Sequence, residues 1–386
     1  MKDSLKVVLY QLVFYLVRLV PTRREPRHLL LVKTDEIGDY ILVRNHLSLF
    51  KETASPYKDY KITFVGNILF KPLFDLYDSQ IADDVIWLDK KKFRADLWYR
   101  YDILRRIRKV PASDAISLVY SRFWRKDDVI IAVSPAVNRT AMESDSRLIP
   151  SYERRLTPRN IYTRLEDSGP ETLFDAIRNA RYIERLVGFA ARTVKTSIDV
   201  RADVGSFSLP AAFFVVFPGS GIPEKKWPAA RFAEVSRHLA GRYGLMPVVC
   251  GSGGDRADCD EFIRAYAAPV LDLTAKTSLP QLLAVLQAAV CLVSVDTGSV
   301  HLAAAVGCPV FALYSGLHYG RFAPYPAAIA KHFYPIYPAG FEKMVKEDGD
   351  NIDYELIPID MLKEIPAAKV IAAIDASPII ERGLPV

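Results

Sequence analysis

The sequence predicts an α/β protein with two domains, each built on a parallel sheet. Short apolar runs alternate with segments of helix length in both halves, which is the pattern of parallel strands joined by crossover helices. In the second half, the loops that follow the apolar runs carry glycine and hydroxyl residues, as in Rossmann-like folds. The length of 386 residues fits two domains, and a polar stretch over residues 195–210 separates the halves.

The composition excludes several classes of protein. Half of the residues are hydrophobic, so a large core is expected. The net charge of +6 fits a binding partner that is an anionic lipid or a phosphorylated substrate as well as it fits nucleic acid. No interleaving of aromatic and basic residues indicates base stacking, which makes a nucleic-acid binder the weakest candidate. The four cysteines form no CxxC pair, so the sequence indicates neither a zinc site nor a disulfide framework. Free cysteines are typical of a protein in the reducing cytoplasm.

The N-terminal segment, residues 5–20, is apolar on nearly all sides. It is shorter than the roughly 20 residues that a membrane span needs, and it has no small-residue cleavage site. Arg23, Arg24 and Arg27 follow it. We expect a helix that lies on the anionic inner leaflet, and a helix packed on the protein itself is the alternative.

The first half of the sequence has the pattern of a sheet, and a polar loop follows its first strand. Four strands are expected at residues 28–33, 61–65, 85–88 and 115–119, with helices in segments such as 93–109. The first loop ends at a helix that should begin near Asp39 or Tyr40. Residues 136–169 are rich in arginine and have no period, which indicates loops or a solvated surface, and a helix is expected over 170–189.

The second half is a regular series of strand–loop–helix units. Strands are expected at residues 213–217, 246–250, 270–273, 291–295 and 309–314. Three helices between them have predicted ends: one should stop near Gly244, another should begin after Ser278 as its N-cap, and a third should run from 299 to 306 and stop at Gly307. A last helix is expected over 360–375. The loops at the strand ends should gather around one ligand crevice.

Three of these loops predict a diphosphate site. Gly219 and Ser220 offer donors, Lys225 offers a mobile cation, and the segment 296–299 opens a helix whose N–H groups and dipole attract anions. Because a carboxylate repels phosphate, Asp296 suits a sugar hydroxyl or holds the loop in place. Taken alone, Asp296 is equally a helix cap, and His301 is equally a satisfied, partly buried histidine.

Four stretches of the sequence form a set: Lys33-Thr34…Gly38-Asp39, Phe217-Pro218-Gly219-Ser220, Lys225-Lys226-Trp227-Pro228, and Asp296-Thr297-Gly298-Ser299-Val300-His301-Leu302-Ala303-Ala304-Ala305. Together they resemble glycosyltransferase family 9, the heptosyltransferases of lipopolysaccharide core assembly. The resemblance covers roughly residues 28–325. Its most specific part is the last stretch, which follows the K-x-W-P loop.

The resemblance implies a GT-B architecture, in which two Rossmann-like domains face each other across a cleft. The domain organisation expected from it is an amphipathic membrane-surface leader (1–27), an acceptor-binding domain (28–205), a nucleotide-sugar-binding domain (206–345) and a helical tail (346–386).

The resemblance also assigns the site residues. Asp39 matches the general base, and Lys33 and Gly38 lie with it on the acceptor-side loop. Lys225 matches the lysine that binds donor phosphate, and Asp296 matches the aspartate that contacts the donor sugar. The full set of donor-binding residues is Gly219, Ser220, Lys225, Asp255, Asp296, Thr297, Gly298, Ser299 and His301.

The function implied is inverting transfer of a sugar, with heptose from ADP-heptose as the expected donor, to a lipopolysaccharide-core or related cell-envelope glycan. No metal and no cofactor beyond the nucleotide sugar is expected. The protein should be a monomer on the cytoplasmic face of the membrane, bind an anionic lipid-linked acceptor and bind no nucleic acid. Two alternatives stay open: a nucleotide-sugar epimerase of similar fold, and a non-catalytic sugar-nucleotide-binding protein at the membrane.

Overall fold

The computed structural model describes residues 2–144, 160–191 and 193–377. These residues form two compact units, Met1–Val194 and Lys195–Val386. Each unit contains a parallel sheet with six described strands, which confirms the α/β class and the two Rossmann-like units. Four arginines of the arginine-rich middle segment lie outside the described residues: Arg147, Arg154, Arg155 and Arg159.

The first sheet has the strand order β3-β2-β1-β4-β5-β6. Its strands are β1 (His28–Lys33), β2 (Lys61–Asn67), β3 (Asp84–Leu88), β4 (Asp114–Ser117), β5 (Asn138–Met142) and β6 (Arg164–Glu166). β1 is central and buried along its whole length, because its apolar sequence is covered on both faces. The loop predicted to lie on the acceptor side therefore starts from a central, fully buried strand.

Seven described helices surround this sheet: α1 (Lys2–Arg18), α2 (Ile37–Leu47), α3 (Lys71–Tyr77), α4 (Lys90–Ala95), α5 (Leu97–Lys109), α6 (Val129–Val133) and α7 (Asp175–Val187). The leader helix α1 packs on the unit with one face, where Val13, Phe14 and Val17 join the hydrophobic core. The guanidinium of Arg100 lies 4.1 Å from the centre of the Tyr10 ring. None of the helices in the described part of the chain combines the length and apolar character needed to span a bilayer.

Two predictions for the first unit were wrong in detail, and one did not locate a boundary between helices. The middle segment contains β5 and β6, which lack an apolar run because they are partly solvated strands near the sheet edge. The helices expected in 93–109 are α4 and α5. They are separated at Asp96, whose carboxylate caps α5 by accepting from the N–H groups of Trp98 and Tyr99 at 2.8 and 3.0 Å. The helix of the first loop begins at Ile37, ahead of Asp39.

The second sheet has the order β12-β11-β10-β7-β8-β9. Its strands are β7 (Phe213–Phe217), β8 (Met246–Val249), β9 (Leu271–Asp272), β10 (Leu292–Val295), β11 (Val310–Leu313) and β12 (Phe333–Ile336). Its described helices are α8 (Ala229–Tyr243), α9 (Arg256–Tyr266), α10 (Leu279–Ala288), α11 (Gly298–Ala305), α12 (Ala339–Asp348) and α13 (Ala367–Asp375). The central strands β10 and β7 are neighbours, so the loops after them lie side by side.

Several expected boundaries of the second unit are confirmed. The Ser278 hydroxyl caps α10 by accepting from the N–H of Gln281, and Gly244 ends α8 in the left-handed region at φ 66°. The prediction of a helix over 360–375 was wrong for the first part of that range. A 3-10 turn, Ile359–Glu364, precedes Pro366, and α13 starts only after that proline. β12 and α12 were not predicted.

Candidate functional site

The loop after β1 is built on a buried lysine. Lys33 is 2% exposed, and its Nζ donates to Asp35 Oδ2 at 2.9 Å and to the Leu118 carbonyl at 3.2 Å. The buried Gly38 lies in the first turn of α2. Lys33 thus holds the start of the loop against the end of the neighbouring strand.

Asp39 occupies the third position of α2 and closes a capping box with Glu36, the N-cap residue. An Asp39 Oδ2 atom accepts from the Glu36 N–H at 3.1 Å. Asp39 is therefore held in a defined orientation, with its other carboxylate oxygen outside this bond. A positioned carboxylate of this kind can take a proton from a hydroxyl.

Asp35 was missed by the sequence reasoning. Burial raises the pKa of Asp35 to about 7, the nearby Lys33 opposes this shift, and Asp39 adds to it. Its Oδ1 atom is buried and has no hydrogen-bond partner among the described residues. The available signal was an acidic residue two positions past a fully buried strand, in a stretch of five residues that contains three carboxylates, Asp35, Glu36 and Asp39.

In the second unit, Lys225 and Asp296 form an ion pair. The Lys225 Nζ lies 2.5 Å from Asp296 Oδ2, and the side chains are 16% and 14% exposed. Lys225 follows β7, and Asp296 follows β10. The two predicted donor residues are thus brought together from neighbouring strand ends.

The N-terminus of α11 has no side-chain cap. Thr297 occupies the N-cap position, but its side chain makes no capping bond. Its hydroxyl instead lies 2.8 Å from the Ser299 hydroxyl, which lies 3.0 Å from that of Ser294. This chain of hydroxyls leaves the N–H groups of the first turn, beginning at Gly298, without a side-chain acceptor, which is the usual state of an anion-binding helix end.

Gly219 and Asp255 approach each other closely. A Cβ atom at Gly219 would lie 2.4 Å from the Cβ of Asp255, so only glycine fits there. Asp255 Oδ2 accepts from the N–H and the hydroxyl of Ser252 at 2.8 and 2.6 Å, which caps the following turn. The neighbouring Ser220 is buried and accepts from the Ile222 N–H at 3.2 Å.

His301 lies inside the unit rather than in the open loop. It is 5% exposed, and its Nδ1 lies 2.7 Å from the Tyr325 hydroxyl. The Phe322 ring packs edge-on at 6.0 Å. His301 therefore anchors α11 to the segment that follows β11.

A stretch that begins in the last helix of the first unit and runs through most of the second matches a known family. Residues 177–339 match the model of glycosyltransferase family 9 (heptosyltransferase). The predicted resemblance to family 9 is confirmed. The matched residues contain all of the predicted donor loops, from Gly219 to His301, and the strand ends that position them.

Sequence relatives match part of the chain, and solved structures share its fold over about nine tenths of its length. Lipopolysaccharide heptosyltransferase 3 of Escherichia coli K12 is 28% identical over 178 residues, which are 45% of this chain and 48% of that protein. The match spans about half the length of this curated relative. A family 9 glycosyltransferase from Veillonella parvula covers 92% of this chain and 98% of its own, with TM-score 0.67 and 21% identity. E. coli heptosyltransferase WaaC with ADP covers 90% and 97%, with TM-score 0.60 and 17% identity.

Proposed function

We propose that the protein is an inverting, metal-independent glycosyltransferase that moves heptose from ADP-heptose to a lipopolysaccharide-core or related cell-envelope glycan. The observation that carries this proposal is the Lys225–Asp296 pair beside the uncapped N-terminus of α11. Family 9 relatives are heptosyltransferases, and one solved relative holds ADP-2-deoxy-2-fluoro heptose.

The donor loops have the chemistry that a nucleotide-diphosphate leaving group needs. As the bond to the sugar breaks, negative charge grows on the departing phosphate. Lys225 and the first-turn N–H groups of α11 supply positive charge without rearrangement. The proposed role of Asp296 is to hold Lys225 and to accept from a sugar hydroxyl.

The proposed general base is Asp39. Attack by an acceptor hydroxyl on the anomeric carbon inverts its configuration and releases a proton, which the Asp39 carboxylate takes. The hydrogen bond from the Glu36 N–H fixes one carboxylate oxygen and leaves the other for this role.

The leader helix supports a place at the inner face of the membrane. Opposite the face that packs on the unit, α1 and the residue that follows it expose large apolar side chains at helical spacing: Val8, Leu12, Tyr15, Leu16 and Leu19. Arg23, whose side chain is 77% exposed, follows this stripe. An apolar stripe with cations beside it fits an anionic lipid surface, so we propose a monomer that works there on a lipid-linked acceptor.

A thermal-shift panel of nucleotide sugars tests the donor assignment. A ligand at 100 times its Kd adds about 2.7 kcal/mol to the free energy of unfolding. We expect stabilisation by ADP-heptose and a smaller effect of GDP and UDP sugars. Equal stabilisation by all three nucleotides, or none by ADP-heptose, would contradict the donor assignment.

A further inference from the structure

A cavity of about 390 Å³ lies within the first unit, and all of its lining residues belong to that unit. The leader helix α1, α4 and the turn before α6 all contribute to its wall. Its cationic lining residues are Lys6, Lys90, Lys91, Arg94 and Lys126. The volume is within the range of small-molecule sites, roughly 300–1,000 Å³.

The two carboxylates of the cavity are already engaged by the protein. Glu36 Oε1 lies 2.5 Å from Lys90 Nζ. Asp127 is buried, and its two oxygens accept from the Thr34 hydroxyl at 2.7 Å and from the Phe123 N–H at 3.0 Å. Five cations less two carboxylates leave an excess of three positive charges in the lining.

Three of these cations have no counter-charge. Lys6, Lys91 and Arg94 form no ion pair with any residue that the structure describes. Like charges gathered in one concave site repel each other, and a bound oxyanion relieves that repulsion. Leu88 and Phe93 form the buried floor of the cavity, while Lys91 and Arg94 are exposed at its rim.

We propose that this cavity binds the phosphate group of an anionic lipid or lipid-linked glycan. Lys6 makes the leader helix part of the binding site, so that the helix has a role beyond attachment to a surface. Glu36, in the cavity wall, is the N-cap of the helix that carries Asp39, and its N–H is bonded to the Asp39 carboxylate. A phosphate held here therefore lies beside the proposed base. The inference deepens the proposed function and rests on it for the identity of the ligand.

Calorimetric titration with inorganic pyrophosphate at low ionic strength tests the proposal on the full chain. The pocket variant is Lys91→Gln with Arg94→Gln, and the matched control is Lys92→Gln, an exposed lysine of the same helix that does not line the cavity. We expect the pocket variant to bind at least about tenfold more weakly and Lys92→Gln to bind as the wild type. Lys225→Ala reports any pyrophosphate held at the donor loops instead.

Vesicles distinguish the two sources of phosphate. Binding to phosphatidylglycerol vesicles, over phosphatidylcholine vesicles, that falls in the pocket variant but not in Lys92→Gln supports a lipid headgroup as ligand. Pyrophosphate binding that depends on the pocket without such vesicle binding supports a glycan phosphate.

The proposal is overturned if Lys92→Gln loses as much binding as the pocket variant, if only Lys225→Ala loses binding, or if neither probe binds. Nucleotide-sugar stabilisation, measured in the same variants, reports separately on the proposed function. If nucleotide sugars did not stabilise the wild type, the proposed function would fail, while pyrophosphate binding that depends on the pocket would still support the cavity as a phosphate site.

Discussion

Lys225 and Asp296 stand 71 residues apart in the chain, yet their Nζ and Oδ2 atoms lie 2.5 Å apart. The parallel pairing of β7 with β10 brings the ends of these strands together. In the proposed mechanism, a donor phosphate thus meets a lysine already held in place by a carboxylate. The Asp296 carboxylate neutralises part of the charge of Lys225 and fixes the position of its Nζ atom. This arrangement favours a ligand that offers both a phosphate and a sugar hydroxyl.

Replacing Lys225 by alanine should weaken donor binding and turnover together. The variant removes the cation and leaves Asp296 unpaired beside the phosphate. We expect donor affinity to fall by about tenfold or more, measured by calorimetry with ADP-heptose. Lys226→Ala is the matched control, because Lys226 pairs with Asp258 at 2.6 Å instead. Equal losses in the two variants would show that Lys225 has no special role.

Asp39→Asn should stop transfer and leave donor affinity nearly unchanged. Asparagine keeps an oxygen that accepts from the Glu36 N–H, so the capping box is retained while the base is lost. General-base catalysis contributes roughly 10²- to 10⁴-fold, and kcat should fall by about that factor. Transfer at the wild-type rate would remove Asp39 from the mechanism.

Asp35→Asn should change how stability depends on pH. Burial raises the pKa of Asp35 from 3.8 to about 7, so the folded state binds this proton more tightly than the unfolded state. The resulting stability is fully present below pH 3.8 and is lost as the pH rises through about 7. The wild type should therefore lose free energy of unfolding, relative to the variant, between pH 4 and 7.5.

Urea unfolding of both proteins across this range measures the difference. His46, whose pKa burial lowers to about 4, acts with the opposite slope in both proteins, and the comparison cancels it. Parallel pH curves for the wild type and Asp35→Asn would show that Asp35 is ionised throughout.

Gly219→Ala should destabilise the second unit, because its Cβ would lie 2.4 Å from the Asp255 Cβ. Overpacking of this kind costs about 1–3 kcal/mol, which scanning calorimetry can resolve. Gly221→Ala is the control, since nothing lies within 4 Å of its added Cβ. If both variants melted like the wild type, the close approach of Gly219 and Asp255 would be wrong.

The sequence predicted the central strands well and the partly exposed ones poorly. β1 and β10 are buried on both faces, and their apolar runs are visible in the sequence. β6 is a three-residue strand in which Arg164 and Leu165 are exposed, and nothing in its composition distinguishes it from a loop. The boundary between α4 and α5 lies at the Asp96 cap, a local feature that the prediction of helices in 93–109 did not locate.

For the site, the sequence predicted which residues stand on the donor loops but not how they pair. The capping bonds of Asp255 and the burial of His301 depend on neighbours, Ser252 and Tyr325, that no motif specifies. The raised pKa of Asp35 likewise depends on burial by the packed fold. Properties that arise from tertiary contacts were therefore not accessible from the pattern of residues.

The most direct test is the release of ADP from ADP-heptose, measured with and without a lipid-linked lipopolysaccharide-core acceptor. The account predicts release that requires the acceptor, accompanies transfer of the sugar, and is lost in Asp39→Asn. Turnover of the nucleotide sugar without acceptor, as an epimerase would show, or binding without any turnover, would contradict it.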